Sequence, residues 1–194
     1  MDRLVEIRKE INKIDKNILS QIESRAILTK EVAEIKAETM APVFVPERET
    51  EILAELTLAA SDEVRGAVPT LFKTLMRLSR QNQYARIYRK LEESEFAAEL
   101  SGATAAVSEI DAGKKPCLEL VFRARAEIVN FFDVLDDYGF FPLEFSLKKN
   151  AAGEFVARSV FDAIECGQNR EKMLIKAMYQ ICNEFHGVRL VGWI

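Results

Sequence analysis

Residues 2–38 read DRLVEIRKEINKIDKNILSQIESRAILTKEVAEIKAE, a run without a single proline or glycine. Apolar residues recur in it at Leu4, Ile7, Ile11, Ile14 and Ile18 and resume at Leu28, Val32 and Ile35. That three-then-four spacing is a helical seam. A helix over this run is about 55 Å long at about 1.5 Å per residue, more than a globule of about ninety residues can cover. The stripe therefore predicts a partner chain, in a dimer.

Continuing the seam from Ile18 by three and four places Gln21 and Arg25 where apolar residues belong. A buried arginine is expensive. Either Arg25 pairs with a carboxylate such as Glu51 or Glu55, or marks register, or the bundle interior holds an anion that suits its planar fork. Lys36 lies eleven residues further on, about 20° from the same face at about 100° per residue. Arg8 lies seventeen residues before Arg25, about 100° away, and is better placed to serve another chain's pocket.

A loop around Met40-Ala41-Pro42-Val43-Phe44-Val45 ends the long helix. Pro46 suits the first turn of a second, short helix reaching about Ala60, with Arg48 and Glu49 in that first turn. Ser61-Asp62 offers a cap or break. A third helix is expected from roughly Val64 to the Arg89 region, with Pro69 in its early part or kinking it. On this helix Ser79 and Gln83 are four apart, stacked on one face beside Leu75, Met76 and Leu78.

From Leu100 to Pro116 the chain reads as a linker, with Ser101-Gly102-Ala103-Thr104 and Gly113-Lys114-Lys115-Pro116. Alternation then takes over. Strands are expected at Cys117–Phe122, Phe140–Leu147, Glu154–Phe161 and Val188–Trp193, and helices at Glu127–Tyr138 and Asn169–Phe185, with a hairpin turn at Lys149–Gly153. The order βαββαβ is ferredoxin-like. The expected organisation is an all-α three-helix domain at 1–95, a linker at 96–115 and an α+β domain at 116–194.

Charge divides the same way. Residues 1–90 carry 16 Lys and Arg against 14 Asp and Glu, and residues 91–194 carry 11 against 17, so that halves of +2 and −6 make up the total of −4. The halves are expected to do different work. With 48% hydrophobic and 30% charged residues, and only 8 Gly and 5 Pro in 194, the chain reads as a folded, helix-rich protein. No stretch approaches the roughly eighteen apolar residues of a membrane span, and Met1-Asp2-Arg3-Leu4 opens a charged amphipathic pattern instead of a signal core. A cytoplasmic protein with no membrane or nucleic-acid partner is expected.

Cys117, Cys166 and Cys182 are widely spaced and read as reduced, partly buried thiols. His186 sits by Gly187 at an expected helix end, in a capping or surface role. No glycine-rich phosphate loop or metal-ligand cluster appears, so neither a metal nor another cofactor is expected.

Taken together, Arg8, Asp15, Arg25 and Lys36 on a long first helix, Pro42-Val43, Pro46-Glu47-Arg48-Glu49, and finally Ser79 and Gln83 resemble the all-α chorismate mutase family over about residues 3–90. The resemblance implies an isomerase that turns chorismate into prephenate in aromatic amino-acid biosynthesis, in a homodimer whose active sites are shared between chains. It assigns Arg25 and the other chain's Arg8 to the two substrate carboxylates, with Arg48 and Ser79 completing the clamp. Lys36 and Gln83 would donate to the ether oxygen whose bond breaks, and Glu49 would accept from the ring hydroxyl. Val45 stands where family members often carry Asp, which leaves its backbone amide to contribute.

The second half resembles an ACT domain, the amino-acid-sensing module, of the kind attached to prephenate dehydratases. The resemblance lies in the βαββαβ order, in Asp137-Tyr138-Gly139-Phe140 closing the first helix and in Glu144-Phe145-Ser146. It implies allosteric control by phenylalanine or tyrosine near the first strand-to-helix loop, with Arg123, Arg125, Glu144 and Ser146 as candidate contacts. Phe131, Phe140, Phe141 and Phe145 either form an aromatic slot or simply fill the core. Arg123-Ala124-Arg125-Ala126 lacks the glycine usual in that loop. The alternatives are isochorismate pyruvate-lyase chemistry on the same helical fold, and a non-catalytic regulator that binds a partner enzyme or ligand.

Overall fold

The computed structural model describes residues 3–39, 41–93, 114–163 and 170–194. Most of the expected linker and Cys166 lie outside these residues. The chain divides into two compact units, 1–86 and 87–194. Among the described residues no helix is long and apolar enough to cross a membrane.

The first unit is helical. Helix α1 is one uninterrupted element, Arg3–Thr39, of 37 residues, and only Ala33 on it is buried. The seam residues Leu4, Ile7, Ile11, Ile14 and Ile18 are all exposed in the single chain. After the loop, α2 spans Pro46–Ala59 with proline at its start, where no backbone donor is lost.

The expected third helix starts later than its sequence pattern suggests. Asp62–Arg65 closes as a separate single turn, α3, and the long helix α4 runs Val68–Glu93, so the unit has three helices of substance and one short turn. The Ser61 carbonyl accepts from the amides of Val64 and Arg65, while Arg65 donates from Nη2 to the Ala60 carbonyl at 2.8 Å. Those bonds turn the chain. Pro69, which has no amide to donate, then falls in the first turn of α4, where it costs no helix hydrogen bond.

The second unit is a four-stranded antiparallel sheet with two helices on one face. Its strands are β1 (Pro116–Phe122), β2 (Phe140–Lys149), β3 (Phe155–Ala163) and β4 (His186–Trp193), and its helices α5 (Arg125–Asp137) and α6 (Arg170–Glu184). The sheet order is β2-β3-β1-β4, as a ferredoxin-like βαββαβ chain requires. Alternation decides which face is covered. Leu118, Leu120 and Phe122 of β1 and Ala157 and Phe161 of β3 point under the helices, where Phe131, Leu135, Leu174 and Ile181 meet them.

Gly139, with φ of 76°, takes the left-handed turn that ends α5 and starts β2. Just before it, the Tyr138 hydroxyl donates to Gln180 Oε1 at 2.9 Å, and Gln180 Nε2 donates to Glu184 Oε1 at 2.9 Å. Burial, with Glu184 and Asp137 nearby, pushes the Tyr138 phenol well above its ordinary pKa. His186 does not cap a helix. It opens β4 at an exposed position, because α6 ends at Glu184 and Gly187, at φ 60°, bends the chain directly into the strand. A Cβ at residue 187 would come within 2.8 Å of Val121 Cγ2, so glycine is required there. Cys117 is buried and Cys182 exposed, both as free thiols.

Candidate active site

The costly seam residue finds its partners across the bundle. Arg25 is half-buried, and its Nη1 donates to the Leu75 carbonyl of α4 at 3.0 Å and to Ser79 Oγ. Ser79 in turn donates to the same carbonyl at 2.7 Å. Neither Glu51 nor Glu55 is a hydrogen-bond partner of Arg25 among the described residues. Desolvation holds the guanidinium pKa below its ordinary value, opposed by the negative charge of Glu49. It stays protonated nonetheless, as arginine does in proteins.

Three turns further along α1, Lys36 Nζ donates to the Val43 carbonyl at 2.9 Å and so pins the loop between α1 and α2. Partial burial lowers its pKa as well, again opposed by Glu49. Glu49 is thus near both cations. It sits in the first turn of α2, where a carboxylate also suits the positive end of the helix dipole. Val45 occupies the N-cap position, and its carbonyl accepts from the Glu49 amide at 3.2 Å.

The α4 wall of this site is a buried stripe of mostly polar residues. Met76, Ser79, Arg80, Gln83 and Tyr84 are all buried, at the i, i+3, i+4, i+7, i+8 spacing of one helix face. Arg80 was not among the residues singled out from sequence. Its Nη1 meets Glu49 Oε1 at 2.5 Å, and its guanidinium carbon lies 4.7 Å from the centre of the Phe44 ring. The signal was available, since Arg80 follows Met76 by four and precedes Gln83 by three. Gln83 Oε1 is buried without a hydrogen-bond partner. Such a group costs roughly 1–3 kcal/mol until something fills the space. A half-turn of the amide would present its NH2 at the same place.

Arg25, Lys36, Glu49, Ser79 and Arg80 therefore converge, with three cations around one carboxylate, and Gln83 lies one turn beyond Ser79 on the same buried face of α4. Two expected members stand apart within the chain. Arg8 is exposed, about 25 Å along the helix axis from Arg25 at about 1.5 Å per residue. Arg48 is exposed and lies 3.6 Å from Glu51 on the surface of α2. Asp15 is exposed on α1. A concavity of about 720 Å³ between α2 and α4, lined by Leu53, Leu58 and Pro69, shares no residue with the cluster.

Residues 7–84 match the family described as chorismate mutase type II. The helical unit is a chorismate mutase domain. Among curated proteins, a bifunctional chorismate mutase/prephenate dehydratase of Aquifex aeolicus is 46% identical over 68 residues, 35% of this chain and 18% of the relative. A chorismate mutase of Methanocaldococcus jannaschii is 49% identical over 49 residues, 25% of this chain and 50% of the relative. A T-protein of Enterobacter agglomerans is 33% identical over 81 residues, 42% of this chain and 21% of the relative. The chain thus spans at most half the length of these relatives. No solved structure gives a significant match.

The match to the chorismate mutase domain stops short of the second unit, whose candidate effector residues fall in two places. Glu144 and Ser146 share a shallow concavity of about 500 Å³ with Phe145, Arg158 and Val160. Register places Glu144 opposite Val160 and Ser146 opposite Arg158. Arg123 instead lies 3.6 Å from Glu154 at the hairpin end, and its amide donates to Glu127 Oε2 at 2.7 Å. Glu154, just before β3, lies six positions from Val160, roughly 20 Å at about 3.4 Å per residue. Arg125 is exposed at the start of α5. Of the four phenylalanines, Phe131 and Phe140 are buried core, Phe145 meets Phe132 edge to face with ring centres 4.8 Å apart, and Phe141 is exposed.

Proposed function

We propose that the chain rearranges chorismate to prephenate, as a homodimer with two shared sites. The observation that carries this is the half-built cationic pocket, in which Arg25 and Lys36 converge beside Glu49 and one end of the Gln83 amide is buried without a partner. Chorismate carries two carboxylates and an ether bridge. Its rearrangement breaks one carbon–oxygen bond as one carbon–carbon bond forms, with no proton or leaving group to move. Neither a nucleophile nor a histidine is needed.

The work left to the protein is to hold the enolpyruvyl side chain folded over the ring and to place donors where the ether oxygen gains negative charge. Arg25, with Ser79 behind it, binds one carboxylate, and Arg8 of the partner subunit binds the other. Arg48 swings inward from the surface of α2 to complete the clamp. Lys36 and Gln83 donate to the ether oxygen, Glu49 accepts from the ring hydroxyl, and the Val45 backbone closes the loop side. The loss of chorismate absorbance on adding the protein tests the reading, and an unchanged spectrum at high enzyme concentration refutes it. Isochorismate as a second substrate separates the mutase from a lyase.

Support for the dimer comes from α1, whose seam residues are exposed in one chain and whose Arg8 is remote from Arg25. Sharing has a direct test. Arg8→Ala and Lys36→Ala subunits, each inactive alone, recover about a quarter of wild-type activity after equimolar exchange, because half the dimers are mixed and each holds one intact site. No recovery after demonstrated exchange would remove Arg8 from the shared pocket.

For the second unit we propose weak sensing of an aromatic amino acid, phenylalanine above tyrosine, at the loop after β1. The ferredoxin-like fold supports it. The Arg123 amide, a natural donor for an effector carboxylate, is already taken by Glu127, so binding at about millimolar or weaker is expected. Calorimetric titration of the full chain decides: no heat with either amino acid, and mutase kinetics indifferent to both, would make the unit an assembly element.

A further inference from the structure

Glu49 poses an electrostatic problem for a site that takes a dianion. Its carboxylate faces Arg25 and Lys36, and on its own would cancel one of the two cations the substrate needs. Arg80 answers that charge from the α4 side. The pair is deeply placed, with side-chain exposures of 6% for Arg80 and 23% for Glu49. It uses only one carboxylate oxygen, Oε1, and Oε2 makes no hydrogen bond among the described residues. The Phe44 ring, stacked on the guanidinium, fixes its plane and desolvates it, which strengthens its hold on Glu49. Lys36 grips the neighbouring Val43 carbonyl, so the loop from α1 to α2 is held by a cation from each of two helices.

We propose that Arg80 is a positioning residue for the mutase site: it is the internal counter-ion of Glu49, leaving Arg25 and Lys36 their full charge for the substrate and Glu49 Oε2 free as an acceptor. Arg80 does not touch the substrate. The inference rests on the mutase reading of the same pocket. Its signature follows from charge. The ground state and the transition state are both dianions, so an uncompensated Glu49 weakens both about equally. That raises KM and leaves kcat comparatively intact.

The test uses the full chain as wild type, Arg80→Met, Arg80→Lys, Glu49→Gln and the double variant Arg80→Met/Glu49→Gln. Each is measured for chorismate kinetics, thermal melting, and calorimetric binding of an unreactive cyclic dicarboxylate that mimics the transition state. Arg80→Met should raise both KM and the dicarboxylate Kd by about 10- to 100-fold, with a smaller change in kcat. Arg80→Lys should fall between it and wild type. The double variant should return KM to within about threefold of Glu49→Gln alone, because removing the carboxylate removes the need for its counter-ion.

A merely structural arginine would give no such rescue. KM unchanged in Arg80→Met, or a double variant no better than Arg80→Met, overturns the inference. If Arg80→Met does not fold, the charge-balanced double variant and Arg80→Lys carry the same comparison. Wild type that binds the dicarboxylate but leaves chorismate unchanged refutes the mutase reading, and the Kd series then decides on Arg80. Wild type that binds neither overturns both.

Discussion

Lys36→Ala is expected to lower kcat by about a thousandfold while the protein still folds, in the range seen when a single oriented donor to a developing oxyanion is removed. The ether oxygen is a modest acceptor in bound chorismate and a strong one when its bond to the ring is breaking. An ammonium beside it therefore acts mainly on the transition state, and kcat falls more than KM rises. Folding should tolerate the change, since among the described residues the Lys36 side chain has one hydrogen bond, to the Val43 carbonyl, at a partly exposed site. Its pKa is held below the ordinary lysine value by partial burial. The protonated form is therefore lost at lower pH than for a free lysine, and kcat should decline as pH rises into the alkaline range. Lys36→Arg, which does not titrate there, should show a flatter alkaline limb whatever its absolute rate. Lys36→Ala with more than a tenth of wild-type kcat, or a wild-type profile unchanged in base, would remove Lys36 from the ether oxygen.

The residues behind that expectation differ in how legible they were from sequence. Arg25 stood out because it breaks an apolar seam, and a cation at such a place must have a reason. Lys36 followed by helical angle from Arg25. Both arguments work because α1 is a single helix, Arg3–Thr39, whose geometry carries phase faithfully over many turns. Arg80 escaped because it adjoins Ser79 and reads as one more surface charge in a helix rich in them. Its burial is a property of the bundle, decided by Phe44 and Glu49, which arrive from elsewhere in the chain.

The same distinction runs through the fold. The strands of the second unit were readable from alternation because the helices cover one face of the sheet only, and the expected strands fall within a residue or two of those observed. α4 starts four residues beyond the position its sequence pattern suggests because local pattern does not weigh backbone donors. Val64 continues an apolar series, yet the Ser61 carbonyl takes the Val64 and Arg65 amides and closes α3. Arg123 and Glu144 are both candidate effector contacts because their segments resemble a sensing module. Register, which sequence does not carry, puts them at different points along the sheet.

Disrupting the α1 seam should abolish activity without touching any residue of the pocket. Ile11 and Ile14 are 50% and 56% exposed in the chain, and with Ile7 and Ile18, also exposed, they form an apolar strip left open among the described residues. Burying the remaining half of each such side chain is worth about 1 kcal/mol. Eight seam positions on each of two chains thus yield on the order of 16 kcal/mol, against an association cost of about 4–15 kcal/mol. The surplus is modest. Ile11→Lys/Ile14→Lys places four ammonium groups in that strip, each of which must be left in water, and the dimer should be monomeric at micromolar concentration. The monomer lacks Arg8 of the partner subunit, so one substrate carboxylate loses its anchor, and kcat/KM should fall by about a thousandfold or more. Glu23→Lys serves as the control, since it lies nine residues from Ile14, about 180° around the helix, and should leave assembly and activity intact. Sedimentation equilibrium alongside the absorbance assay separates the outcomes. A double variant that stays dimeric would place the interface elsewhere, and one that becomes monomeric yet keeps wild-type turnover would mean that each chain holds a complete site of its own.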